Sequence, residues 1–285
     1  MEITAAKVNE LRQKTGAGMM DCKKALVEAN GDFEKAIELL RKKGAAVASK
    51  RAEKSANEGM VLTKVSGDKK FGVMVEVNCE TDFVARSEDF TNFANFVLDK
   101  VFSGKFVNLQ KLLNANSSVA EKQSEIMGKV GEKIEISRLT TEVSNNGYVV
   151  DYIHPGAKLG VLVVFENLEN YHDEFQNLAK DIAMQVAAMK PLCVNRNEVP
   201  KDIIEKEIDI YKEIARKEGK PENILDKIAQ GKLNKFYQEN CLAEQIYIKD
   251  NTKTVEDLLK EFNTKHKTNV RLAHFKRFHL SDEKK

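Results

Sequence analysis

Few residues of this chain stand in a pattern that could do covalent chemistry. Five histidines (His154, His172, His266, His274, His279) and four cysteines (Cys22, Cys79, Cys193, Cys241) are the side chains suited to holding a transition metal or acting as nucleophile and base. They are scattered: no Cys-x-x-Cys occurs, and no histidine lies at recognisable ligand or triad spacing from a cysteine or carboxylate. A phosphate loop needs Gly-x-x-x-x-Gly-Lys-Ser/Thr so that backbone N–H groups can cradle the phosphates, and the chain has none. Thr15-Gly16-Ala17-Gly18 supplies two glycines but opens an amphipathic helix without a preceding strand, a poor match to a nucleotide site. Acid pairs such as Asp202/Glu205 and Glu256/Asp257 read as solvated helix faces, and His154, just before Pro155, as an exposed turn residue. These residues predict a protein that acts by binding and is not an enzyme, without cofactor or metal.

The segment best placed to bind is Asn78-Cys79-Glu80-Thr81-Asp82-Phe83-Val84-Ala85-Arg86-Ser87. Alternating apolar residues before it (Phe71, Val73, Val75, Val77) predict a strand ending at Asn78. Ser87 followed by Glu88 and Asp89 predicts a helix start, with a side-chain cap and acids against the dipole. A short connector between them carries an aromatic ring beside a carboxylate. Connectors run over the surface, so Phe83 either folds back onto the core or is offered to another molecule.

The elements that position this connector fall into an α+β arrangement. At 285 residues, with 32% charged and 42% hydrophobic residues, the chain has room for two or three domains. A net charge of +2 argues against a protein that coats nucleic acid along its length. The cations Arg41, Lys42, Lys43, Lys50, Arg51 and Lys54 cluster against one acid, Glu53, either as a solvated helix face or as a contact for an acidic partner or RNA. No apolar run approaches the roughly 18 residues of a membrane span. Met1-Glu2-Ile3-Thr4 opens directly into a helix, so no export peptide is expected, and scattered cysteines suit reduced thiols in the cytoplasm.

Residues 1–55 read as three short helices: one capped by Thr4 and burying Val8 and Leu11, one striped by Met19, Cys22, Leu26 and Ala29, and one burying Phe33, Ala36, Ile37 and Leu40. Asn30-Gly31-Asp32 ends the second and caps the third, and Gly44-Ala45-Ala46 leads out into a linker. The middle of the chain repeats itself. Laying residues 59–78 on 147–166 without a gap matches Gly59 to Gly147, Val61 to Val149, Lys70 to Lys158, Gly72 to Gly160, Val73 to Val161 and Val75 to Val163. Each copy reads as a β-hairpin, turning at Ser66-Gly67-Asp68 or His154-Pro155-Gly156, followed by an apolar-rich helix (Phe90, Phe93, Phe96, Val97; Phe175, Leu178, Ile182, Val186). A further strand is expected at Ile134, Ile136 and Leu139. The copies differ where the second strand exits: Glu80-Thr81-Asp82-Phe83-Val84 in one, Leu168-Glu169-Asn170-Tyr171-His172 in the other. Ile204, Ile208, Tyr211 and Ala215, answered across Gly219-Lys220-Pro221 by Ile224, Leu225, Ile228 and Phe236, predict an antiparallel coiled-coil hairpin. A helix from Thr254 and a closing strand from Val270 to Phe278 complete the chain. The expected division is 1–55, 56–140, 141–198, 199–241 (the inserted hairpin) and 242–285, the last completing the second core subdomain.

Asn78-Cys79-x-Thr81-Asp82-Phe83-Val84-Ala85 closely resembles the signature of the elongation factor Ts family, nucleotide-exchange factors of the translational GTPase elongation factor Tu. Further strings follow in the family's order: Thr15 to Leu26, Asn30-Gly31-Asp32, Lys42-Lys43-Gly44, His154 to Val163, and Asp181 to Ala188. The resemblance implies a ubiquitin-associated-like N-terminal bundle and a duplicated core of two subdomains, each with a small antiparallel sheet and covering helices. It implies elongation factor Tu as partner, with GDP release promoted by disturbing the Mg²⁺ and phosphate site. In that scheme Phe83 is a wedge, Asp82 the adjacent polar contact, and Thr81 and Val84 hold the loop. Arg12, Met19 and Met20 are candidates for a second contact, with core packing the other reading of Met19. His154, Leu159, Gly160 and Val161 are candidates for a third, and the hairpin for association of two complexes. The chain stops soon after its closing strand, a departure from family members with a longer C-terminal helical module, so contacts made through that module are not assumed. The rival reading is an adaptor or RNA-associated module, suggested by the N-terminal bundle and its basic exit.

Overall fold

Phe71–Cys79 (β2) is buried at all nine positions, which requires cover on both faces of the sheet that contains it. The computed structural model, which describes residues 3–170 and 173–282, supplies that cover from a helical layer and from a second sheet. The elements run α1 (Ala5–Thr15), α2 (Met19–Glu28), α3 (Phe33–Lys50), β1 (Glu58–Val65), β2, α4 (Asp82–Ala85), α5 (Glu88–Gly104), α6 (Leu109–Ala115), α7 (Ser117–Val130) and β3 (Glu135–Val143). They continue with β4 (Gly147–Ile153), β5 (Leu159–Glu166), α8 (Asp173–Met189), α9 (Lys201–Lys217), α10 (Leu225–Asn240), β6 (Ile246–Tyr247), β7 (Asp250–Thr254), α11 (Val255–His266) and β8 (Arg271–His279). This is a mixed fold of helices and small antiparallel sheets, as expected.

Two three-stranded sheets, β1-β2-β3 and β4-β5-β8, form the centre. The strand expected at Ile134 to Leu139 closes the first sheet, and the strand expected at Val270 to Phe278 closes the second. Even the irregularities repeat: the β2–β3 ladder slips between Glu76 and Val77, and the β5–β8 ladder at the equivalent Val164 and Phe165. Each sheet carries its own helical cover. Phe90, Phe93, Val97 and Val101 of α5 pack on the first, with Ile126 and Met127 of α7. Phe175, Ile182 and Val186 of α8 pack on the second, with Phe262 of α11. The remaining faces meet through Val61, Met74, Val149, Leu162 and Val164, and this junction is reciprocal. Val61 N–H donates to Ala157 O (2.6 Å) while the equivalent Val149 N–H donates to Lys69 O (2.7 Å). Thr63 and Asp151, themselves equivalent, hydrogen-bond to each other (2.6 Å). A Cβ on Gly72 would stand 2.8 Å from Val149 Cγ1, and one on Gly160 would stand 2.6 Å from Val61 Cγ1. The paired glycines of the repeat let the two sheets touch.

The N-terminal helices form a bundle around Leu11, Cys22, Ala25, Leu26 and Ala36. Two expectations need correction here. Met19 is not part of the core stripe: it begins α2 on the outer side and is exposed. The third helix does not end at Gly44 but continues to Lys50. Gly44 lies where α3 crosses α7, and a Cβ there would be 2.0 Å from Ser124 O, so this glycine is a contact residue and not a terminator. Val47 and Ala48 beyond it pack on the first subdomain. Helices α6 and α7 were not expected from the sequence; they pack on the first core through Leu109, Leu112 and Leu113, and through Val119, Ile126, Met127 and Val130. Helices α9 and α10 pack antiparallel, with Val199, Leu233, Tyr237 and Cys241 at their root. Gly219 provides the left-handed residue (φ 75°) that turns the chain at the tip.

Candidate functional site

Phe83 is 84% exposed, on a helix of four residues whose last two, Val84 and Ala85, are anchored in the core. Thr81 caps that helix, its Oγ1 accepting from Val84 N–H (3.3 Å). Ala85 is buried and Val84 packs on the first subdomain's core. Ser87 Oγ donates to Val84 O (2.8 Å) and accepts from Phe90 N–H (3.3 Å), so one serine closes α4 and caps α5. Asp82 pairs with Arg86 (3.1 Å) one helical turn on and keeps its carboxylate at the surface. The ring of Phe83 points away from an otherwise satisfied loop. The core-capping reading of Phe83 is thereby excluded.

The base of the loop is held from across the fold. Glu132 receives two hydrogen bonds from one residue, Thr81 N–H to Oε2 (3.0 Å) and Thr81 O–H to Oε1 (2.8 Å). Glu80 accepts from Lys133 N–H (2.7 Å) and from Arg51 (2.6 Å), which follows α3. Burial raises the Glu80 carboxyl, but the Lys133 N–H and the Arg51 guanidinium outweigh it and hold the pKa below the ordinary value. Burial, with the Glu132 carboxylate nearby, pushes the Cys79 thiol up to about 12, so Cys79 stays protonated and donates to Thr81 O (3.2 Å). The clamp of Glu132, Lys133 and Arg51 was not legible from sequence, because its partners are distant along the chain. The Asp82–Arg86 pair, not foreseen, has a local signal in its four-residue spacing.

The other candidates divide. Arg12, Met19 (50% exposed) and Met20 (63%) lie on the surface of the bundle. Lys129 pairs with Asp89 in the first turn of α5 (2.5 Å), and its side chain lies beside Gly16 of the bundle. His154 is exposed in the β4–β5 turn, its Nδ1 3.0 Å from Tyr152 Oη. Leu159, Gly160 and Val161 are not surface residues. Leu159 and Val161 point into the second core, and Gly160 is pressed against Val61 and Met74, so they support the turn without presenting side chains to a partner. Tyr171 and His172, the second copy's counterpart of the Phe83 connector, lie outside the described residues; Leu168 before them is buried. In the basic run, Arg41, Lys42, Lys43 and Arg51 each face an acid of this chain: Glu121 (3.9 Å), Glu38 (2.8 Å), Asp21 (2.6 Å) and Glu80 (2.6 Å). Among the described residues no cluster of His, Cys, Asp and Glu is arranged to hold a metal, and no helix is long and apolar enough to cross a membrane.

A family model described as elongation factor TS matches residues 80–282, from the clamped Glu80 to the end of the second subdomain. The chain is also 46% identical over 289 residues to elongation factor Ts of Chloroherpeton thalassium, covering 99% of each chain. Elongation factor Ts of Chlorobium phaeobacteroides is 46% identical over 286 residues (98% of this chain, 99% of the relative), and that of Chlorobaculum tepidum equally so. The chain belongs to the elongation factor Ts family. As an elongation factor Ts family member it is a translation elongation factor, and the exposed Phe83 lies within the matched region.

Proposed function

We propose that this chain binds the GDP form of elongation factor Tu and speeds GDP release by pressing Phe83 between elements of the GTPase near its Mg²⁺ and phosphate site. The observation that carries this reading is an exposed aromatic ring on a short helix whose base is fixed by Glu132 and Glu80. A ring that must displace packed elements of a partner has to be held from behind, and the clamp does that. Speeding release a thousandfold takes about 4 kcal/mol off the barrier. Burying one Phe side chain yields ~1.5–3 kcal/mol, so further contact must supply the rest. Arg12, Met19 and Met20 offer it on the N-terminal bundle, which we take to be ubiquitin-associated-like, and His154 offers it on the second subdomain. The α9–α10 pair serves as a coiled-coil arm for association of complexes. Self-pairing of the basic run favours this reading over an RNA-binding module.

The test is release of a fluorescent GDP from elongation factor Tu with wild type and with Phe83→Ala. Because the ring is exposed, the substitution should move stability by only ~0.5 kcal/mol while the stimulated rate falls steeply. Linkage supplies a second readout. Saturating GDP should weaken wild-type binding by a large factor and Phe83→Ala binding by a smaller one. A Phe83→Ala chain that melts far below wild type yet stimulates release normally overturns the assignment.

A further inference from the structure

Cys193 and Cys241 stand on either side of the α9–α10 arm, at the point where it leaves and re-enters the second subdomain. Their sulfurs are 3.8 Å apart. The backbones carrying them are neighbours: the two residues form an isolated parallel bridge, and Leu242 N–H donates to Cys193 O (2.9 Å). Strands so paired run about 4.8 Å apart, within the Cα separations that a disulfide spans. Both residues are free cysteines. Cys193 is half-buried and Cys241 fully buried, so the first is partly open to solvent and the second is not.

We propose that Cys193 and Cys241 are a reversible oxidation site, converted to a disulfide by a small-molecule disulfide of the glutathione class. The Cys193 thiolate attacks the reagent's S–S bond, forms a mixed disulfide and releases one reagent thiol. The Cys241 thiolate then attacks the Cys193 sulfur and releases the second. Two protein thiols are oxidised, one reagent disulfide is reduced to two thiols, and each protein proton ends on a departing thiolate. The new bond would close a loop of 48 residues and staple the arm's root without help from the packing of Tyr237 and Leu233. Burial raises both thiols, Cys241 to about 12, so the folded chain reacts slowly at neutral pH, as fits a site that responds to sustained oxidation. The proposal is independent of the exchange reading.

The experiment is incubation of the folded full-length chain with glutathione disulfide, followed by intact mass and peptide mapping. The expected product has lost about 2 Da, carries a single Cys193–Cys241 cross-link, and returns to the starting mass with dithiothreitol. A Cys22→Ser/Cys79→Ser chain should behave identically. Cys193→Ser and Cys241→Ala chains should form no internal bond. Tryptic nicking after the exposed Lys217 near the arm's tip gives an independent readout: under denaturing conditions the two pieces of oxidised protein should stay together until reduced. Four free thiols after long exposure, a mixed disulfide that persists on Cys193, or a cross-link to Cys22 or Cys79 would each overturn the proposal.

Discussion

Glu132 does for the loop what Phe83 cannot do for itself. It receives both the amide and the hydroxyl of Thr81, the residue that starts the helix carrying the ring. Glu132→Ala leaves these two donors without their acceptor and should cost ~1–3 kcal/mol. It should also reduce stimulated GDP release although Phe83 is intact, and Glu132→Gln should restore part of the activity. Urea unfolding beside a release assay separates the two effects, and normal exchange by Glu132→Ala would show that the ring needs no support from behind. Glu80 adds a pH signature. Its folded pKa lies below the ordinary 4.5, so its contribution is complete above that value and is lost as pH falls through the folded pKa. The melting temperature should drop on acidification below about pH 4.5, and the drop should be shallower in Glu80→Gln, which cannot titrate. At this scale the sequence showed the ring, its carboxylate and the Ser87 cap, all local in the chain. It did not show Glu132 or Arg51, because a hydrogen bond spanning 51 positions leaves no trace in spacing.

Among the elements, α3 shows how one missing side chain sets a docking angle. Gly44 in its interior sacrifices about 1 kcal/mol of helix propensity relative to alanine. Gly44→Ala recovers that, but its methyl would meet Ser124 O at 2.0 Å, a backbone atom that cannot swing aside. The clash should win, with a net loss of ~1–3 kcal/mol in thermal or urea unfolding. Gly231 in α10 is the matched control: a Cβ there meets nothing within 4 Å, so Gly231→Ala should stabilise by up to ~1 kcal/mol. Equal signs for the two substitutions would refute the packing role of Gly44. The same glycine explains why sequence reading ended the helix too early. Propensity treats every glycine as a breaker, whereas a crossing partner can require one. Strands β1, β2, β4 and β5 were legible because their alternation and turn residues are local, while the apolar stripes of α6 (Leu109, Leu112, Leu113) and α7 (Val119, Ile126, Met127, Val130) are short or gapped.

For the molecule as a whole, the decisive contact is the one between the two copies. The repeat in the sequence announced two similar units; that they face each other through their own equivalent residues was visible only in three dimensions. Gly72→Ala places a methyl against Val149 and should cost ~1–3 kcal/mol. Val149→Ala opens a cavity singly, but in the double variant the added methyl enters space the valine has left. A double-mutant cycle should therefore show ~0.5–3 kcal/mol of coupling in the compensating sense, read from urea midpoints. Strict additivity would mean that the sheets do not press on one another at Gly72. The reciprocal bonds from Val61 to Ala157 and from Val149 to Lys69 carry a mechanical corollary. Each copy grips the turn of the other, so neither sheet can slide without breaking both grips. Under the proposed function, a reaction force on the Phe83 loop would pass through the first sheet into the turn that bears His154. In that role the molecule would act like the fixed frame of a caliper, whose jaws keep their spacing when one of them meets resistance.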